Sequence, residues 1–394
     1  MKHRICAPSA KISSFLALGG LLPATAAFAL PEDKAISLQQ AASPIAEEVH
    51  AFHNWVMMPV MTGISLFVLG LLVWVIVRYN EKSNPSADRF SHNTLVEVVW
   101  TAIPIVILLF ISLFSFDLLF KEDRIPDGKQ AVIRVAGAQT DFQLANDFNE
   151  NRKVKRASHL DVRLVRGGAE TKLTRGKDFK IDGLGDEVVT VSLTEPAVDG
   201  DTVIVRGGRT WVGAQKILGI FGEDRSEIAL APTVTLKAIG RQWGWNYEYP
   251  EFGEFEILAD LLPKEEAGDK WLFATTSDVV VPVGETIRII TNSVDVIHSW
   301  AMPPFAFKMD AVPGRNNESW FKANKTGTYY GQCSEICGKD HAFMPISVRV
   351  VTRPEFEAWI DQQRLDNGEE PMFGDVTPNV ARAPALTGAP AGTQ

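Results

Sequence analysis

The sequence predicts a two-helix membrane hairpin followed by an all-β domain outside the membrane, and three observations carry that prediction. Two apolar runs, Trp55 to Val77 and Val98 to Phe120, are each 23 residues long, and about 20 apolar residues span a bilayer. After them, short β-branched stretches alternate with Gly- and Asp-rich turns, the pattern of strands joined by tight connections. The scarce metal-ligating side chains are concentrated in one run, Cys333-Ser-Glu-Ile-Cys337-Gly-Lys-Asp-His341-Ala-Phe-Met344.

The chain opens with Lys2, Arg4 and Lys11, then Phe15–Leu22, then a small-residue stretch ending at Ala29. A basic head, a short apolar body and small residues before a cut form a secretory signal, so residues 1–29 are expected to be removed and Cys6 with them. Losing those three cations takes the formal net charge from −9 to −12. An acidic product argues against a nucleic-acid partner and suits a basic protein partner.

Residues 30–54 are expected outside the membrane, 55–77 and 98–120 within the lipid bilayer, and 78–97 in the cytoplasm. Arg78, Lys82 and Arg89 lie in the loop, against Lys34 alone before the first span, which is the cation bias of a cytoplasmic loop. Pro104 interrupts the second span, and Asp117 needs a protein or interfacial partner. Strand candidates then follow at 132–135, 162–165, 178–183, 187–194, 199–205, 233–239, 286–290 and 346–351. A short helix is expected over Pro354–Leu365, with Phe356, Trp359 and Ile360 on one face. The Pro-, Ala- and Gly-rich residues 368–394 are expected to be disordered.

Cys333 and Cys337 are the cysteines left after the leader, and His298 and His341 are the histidines beyond His159. A disulfide is the common state of two exported cysteines. A four-residue separation is an awkward span for the bridge, and so small a loop would constrain the unfolded chain little. Structural zinc sites are built from Cys and His without Met. Thiolates, imidazoles and a thioether together form a soft set suited to copper.

The Ile-His-Ser-Trp stretch at 297–300, Ala311-Val-Pro-Gly-Arg315, Tyr329–Gly338 and His341–Ile346, together with the two spans, resemble subunit II of bacterial aa3-type cytochrome c oxidases, members of the haem–copper oxidase family. The resemblance covers the spans and residues 232–354. It implies a cupredoxin-like sandwich carrying two copper ions as a binuclear CuA centre. In that arrangement Cys333 and Cys337 bridge both ions, His298 and Met344 complete one, and His341 with the backbone carbonyl of Glu335 completes the other. It further implies that the Glu335 side chain faces a magnesium or manganese ion shared with the catalytic subunit. Trp243, in Arg241-Gln-Trp-Gly-Trp-Asn-Tyr-Glu-Tyr249, becomes the electron-entry residue, although clustered aromatics on their own suit a core. Gly244 departs from the bulky residue usual there.

By the same comparison Glu248, Glu251, Glu254 and Asp295 would dock a lysine-rich cytochrome c, with Glu256 and Asp260 in the same acidic stretch. Glu97 matches a carboxylate at the mouth of a proton channel, where a simple interfacial carboxylate is the alternative. Oxidase subunits I and III would be the membrane partners. The membrane would be the bacterial inner membrane, with the C-terminal domain in the periplasm.

One departure is large: 111 residues, Lys121 to Ala231, separate the second span from the Trp motif. The sandwich is therefore expected over 121–139 and 228–367, with an inserted β-rich module at 140–227. A membrane-anchored copper chaperone needs neither His341 nor Met344. A quinol oxidase subunit shares the fold but lacks the copper ligands.

Overall fold

The structure, a computed structural model, describes residues 37–86, 92–148, 153–213 and 226–374. The expected leader at 1–29, Lys34 and Arg89 lie outside the described residues. Two helices, Pro44–Arg78 and Thr94–Asp123, are long and apolar enough to cross a membrane. Both run past the apolar stretches that signal them. Capping sets their starts: Ser43 Oγ accepts the Ala46 N–H at 3.0 Å, and Asn93 Oδ1 accepts that of Val96 at 3.2 Å. These side chains satisfy amide groups that a helix start leaves without partners.

The hairpin is tied to the domain beyond it. Ser43 Oγ also donates to the Phe305 carbonyl at 2.8 Å, and Trp320 Nε1 donates to that of Lys121 at 3.0 Å. Lys121 is buried between Glu48 on the first helix, at 2.9 Å, and Asp117 on its own, at 2.7 Å. Asp117 thereby has the partner that an acid at the end of a span requires.

The main domain is a β-sandwich. One sheet orders its strands as Glu256–Ala259, Gly244–Glu248, Val234–Arg241, Thr286–Ser293 and Asn317–Lys322. A second orders Val279–Pro282, Pro345–Val351 and Gly327–Gln332, and the pair His298–Met302 with Phe307–Ala311 lies beside them. Alternating side chains from these strands fill one core around Trp245, Tyr247, Tyr249, Trp300, Phe305 and Phe321. The helix Arg353–Asp366 closes it with Phe356 and Ile360, begun by a capping box between Thr352 and Glu355. The chain stays ordered past 368: Asp361 Oδ1 accepts the N–H groups of Met372 and Phe373 at 2.6 and 3.1 Å. Residues 375–394 lie outside the described residues.

The insert has its own core, including Phe142, Val162, Val191 and Val205, between a four-stranded and a three-stranded sheet. Its start differs from expectation. Lys129–Arg134 pairs antiparallel with Thr202–Gly207, and Ala131 and Ile133 pack on the insert's core. The module therefore begins near residue 128 rather than 140. It is fastened to the sandwich through Glu227, which meets Arg206 at 2.9 Å, Arg163 at 3.1 Å and also Lys322 of the main sheet.

Candidate metal centre

The ligand run forms the loop of a hairpin. Gly327–Gln332 and Pro345–Val351 are antiparallel neighbours, with Gln332 opposite Pro345 as the last pair. Cys333 and Met344 are the next residues out, and the Cys333 N–H reaches the Met344 carbonyl at 3.4 Å. The loop is drawn onto the strand bearing His298 by a bond from the Ser334 N–H to the Ser299 carbonyl, 3.1 Å. Ligands distant in sequence thus converge because one hairpin folds over the edge of another.

Cys333 Sγ and Cys337 Sγ lie 3.9 Å apart, nearly twice a disulfide bond length, and both thiols are free and buried. Met344 Sδ stands 3.4 Å and His341 Nδ1 3.5 Å from Cys337 Sγ. The Glu335 carbonyl oxygen is 3.4 Å from Cys333 Sγ. Ligand atoms of His298, Cys333 and Cys337 fall within 4.8 Å of one another.

His298 is fully buried and polarised. Its Nε2 bonds Asp295 Oδ1 at 2.9 Å, which leaves the Nδ1 lone pair free, and that atom is buried without a hydrogen-bond partner among the described residues. A buried nitrogen left unpaired beside two thiols fits a metal ligand whose other ring nitrogen is held by a carboxylate. Burial would raise the Asp295 carboxyl, but bonds from His298 and from the Val296 and Gln242 N–H groups hold it below its ordinary range. Burial also opposes ionisation of Cys333, yet the adjoining His298 ring and the backbone at Glu335 and Ser299 bring it down to about 7. Cys337 is pushed up to about 12 by burial and by the charge on Cys333. Metal capture therefore displaces a proton from the pair.

A family model for the periplasmic domain of cytochrome c oxidase subunit II matches residues 234–351, and one for its transmembrane domain matches 31–118. A probable cytochrome c oxidase subunit 2 of Rickettsia felis is 31% identical over 342 residues, covering 86% of this chain and 75% of the relative. The chain belongs to the cytochrome c oxidase subunit II family. The subunit 2 of Cereibacter sphaeroides is 28% identical over 373 residues, 88% of each chain. Among solved structures, the periplasmic domain of subunit II from Bradyrhizobium japonicum is 47% identical, covering 34% of this chain and 96% of that one, with a TM-score of 0.33. As a subunit II, the chain is a membrane-anchored oxidase component with a periplasmic cupredoxin-like domain, it associates with the catalytic oxidase subunits, and its family binds copper.

Trp243 sits in the turn between Val234–Arg241 and Gly244–Glu248, and its Nε1 donates to the Cys337 carbonyl at 3.3 Å. Gln242, which the sequence reading passed over, donates to the same carbonyl at 2.8 Å. The ring lies against Gly338, where an added Cβ would come within 2.9 Å of it. The small residue at 244 also has a reason. A Cβ there would sit 2.4 Å from Asp260 Oδ1, because the Arg241–Asp260 ion pair at 2.6 Å fills that space. Gly240 makes room for His298 in the same way, since a Cβ would lie 2.7 Å from the imidazole Cδ2. A glycine inside a strand is the sequence signal for such an approach.

The acidic residues do not gather at Trp243. The register sets Trp245 opposite Ala259 and Glu248 opposite Glu256, so the chain carries Glu248, Glu251 and Glu254 away from the turn while Asp260 returns to it. Glu248 is paired with Lys237 at 2.8 Å, and Asp295 is engaged with His298 and with the Gln242 N–H at 2.7 Å. Glu251 and Glu254 are exposed. Glu335 is half-buried and its carboxylate has no partner among the described residues. Glu97 accepts the Asn93 N–H at 3.2 Å, a helix-capping contact, beside a cleft of about 370 Å³ lined by Thr94, Thr101 and Ile105.

Proposed function

We propose that this subunit accepts single electrons from cytochrome c at a binuclear CuA centre and hands them to the haem–copper subunit, where oxygen is reduced to water and protons are pumped. The observation that carries this reading is the pair of free, buried thiols 3.9 Å apart facing an unpartnered, buried His298 Nδ1. Cys333 and Cys337 would bridge the two ions, and His298, Met344, His341 and the Glu335 carbonyl would complete them. Held by this thiolate pair, copper would supply one-electron transfer with little rearrangement of the residues around it.

The chain's own residues prepare the site for that role. Asp295 holds the His298 ring in one orientation, and the aromatic core behind it excludes water. Trp243 presents a half-buried indole bonded to the carbonyl of a ligand residue, which makes it the entry residue for the electron. Glu251 and Glu254 offer exposed charge for a basic cytochrome c, an effect on encounter rate that salt screens. The Glu335 carboxylate is free to take a magnesium or manganese ion at the boundary with subunit I. Glu97 stands at the cytoplasmic end of the second span as the candidate proton-channel carboxylate. Subunits I and III complete the assembly in the bacterial inner membrane, with the sandwich in the periplasm.

Metal counting and electron paramagnetic resonance on the full chain test this. Two copper ions per chain with a seven-line signal are expected. One copper or none defeats the reading.

A further inference from the structure

The inserted module meets the end of the second membrane helix across a cleft of about 400 Å³ lined by Phe120, Lys121 and Arg124 on one side and Arg209, Thr210 and Trp211 on the other, with Asp117 at its edge. The charges around it do not cancel. Lys121 is already shared by Glu48 and Asp117, whereas neither Arg124 nor Arg209 has a carboxylate partner among the described residues. Arg156, Arg209 and Asp127 all act electrostatically on His159, and Arg124 and Arg209 are both exposed. Thr210 is 4% exposed and its hydroxyl has no partner among the described residues.

The position of the cleft is as informative as its charge. The second apolar run ends at Phe120, so Arg124 lies about one helical turn beyond the hydrocarbon, at headgroup level. Trp211 is fixed there, its Nε1 donating to the Ser158 carbonyl at 2.8 Å and its ring lying 5.0 Å from Lys172 Nζ. Indoles favour that interface. Two unpaired guanidinium groups match the oxygens of a phosphate.

We propose that this cleft binds the phosphate headgroup of an anionic phospholipid and so seats the inserted module on the outer face of the bilayer. The proposal rests on the orientation given above and not on the copper centre. The aliphatic tails would run down the second helix past Phe120, while Arg124 and Arg209 clamp the phosphate from the helix and the module.

Native mass spectrometry of the oxidase complex released from nanodiscs tests it, comparing phosphatidylcholine alone with phosphatidylcholine plus phosphatidylglycerol. Retention of one phosphatidylglycerol is expected in the wild type. Arg124→Gln with Arg209→Gln should lower retention about tenfold or more with copper content unchanged. Arg209→Gln alone serves if the double variant does not assemble. Equal retention by wild type and variants overturns the proposal. So does a calorimetric titration in which inorganic phosphate binds the lipid-free complex while nanodiscs show no phosphatidylglycerol enrichment, since that marks a free-anion site.

Discussion

Replacing Asp295 with Asn should loosen copper without unfolding the domain. Asp295 Oδ1 accepts from His298 Nε2 at 2.9 Å, and Oδ2 accepts the Gln242 N–H at 2.7 Å. An Asn can keep its oxygen on only one of these donors. With the oxygen toward His298, its NH2 faces the Gln242 N–H, donor against donor; with the amide reversed, His298 loses its acceptor and its preferred tautomer. Either way one charge-assisted bond of about 1.5–3 kcal/mol disappears, which is about a 10- to 100-fold loss in metal affinity, the range for residues that orient metal ligands. The assay is copper retention against a graded chelator series, read beside thermal unfolding of the metal-free chain. The expected result is a shifted retention curve, with the metal-free chain still folded and its unfolding midpoint lowered by about 3–12 °C. Unchanged retention would refute the assignment of Asp295 as the residue that orients His298, and would return it to the docking surface.

Trp243→Phe should slow reduction by cytochrome c in stopped-flow kinetics while copper content stays at the wild-type level. Losing the 3.3 Å bond to Cys337 should cost only about 1 kcal/mol of stability, so a rate loss with copper retained isolates the electron-entry role, and unchanged kinetics removes it. Glu227→Gln should destabilise the full chain by about 3 kcal/mol at neutral pH, because Arg163, Arg206 and Lys322 lose their shared counter-charge in a half-buried site. Burial works to raise the Glu227 carboxyl, but those three cations hold it below its ordinary value of 4.5. A depressed folded-state value gives stability that is present above the unfolded value and lost as pH falls through the folded one. Unfolding midpoints of wild type and variant should therefore converge below about pH 4, and a constant gap down that range contradicts Glu227 as the shared counter-charge.

The parts of the molecule legible in the sequence are the local ones. Hydropathy marks the spans because lipid tests each residue in turn, and the candidate metal loop is legible because Cys333, Cys337, His341 and Met344 sit within a single hairpin connection. Pairing across the chain is not legible. Nothing in Lys129–Arg134 announces a partner some 70 residues away at Thr202–Gly207, so the module's boundary falls at the wrong place. Charge is equally ambiguous. Asp295 reads as one more surface acid, and only the fold shows its oxygens turned onto His298 and the Gln242 backbone. The acids after Trp243 suggest a cluster, but antiparallel register sends most of them to the far end of the hairpin. Gln242 gives no signal because its role is a single bond to a backbone carbonyl that sequence cannot place.

The insert is compatible with the copper site because the two occupy opposite ends of the same strands. Gly128 and Leu230 are bridge partners, so the module leaves and re-enters the chain at one point. Val234–Arg241 then runs from that point to the site, where Gly240 lies under His298. At about 3.3 Å per residue its eight residues cover roughly 25 Å. Its parallel neighbour Thr286–Ser293 repeats the polarity: Thr286 pairs with Lys322, the residue that grips Glu227, and Ser293 leads into Asp295. Joining Gly128 directly to Leu230 through one or two glycines should therefore leave two coppers per chain and the same resonance spectrum. Lys322 would lose its partner, costing some stability at the end where no ligand lies. Loss of copper in that deletion would show that the module supports the centre across the length of the sheet, and the separation argued here would fail.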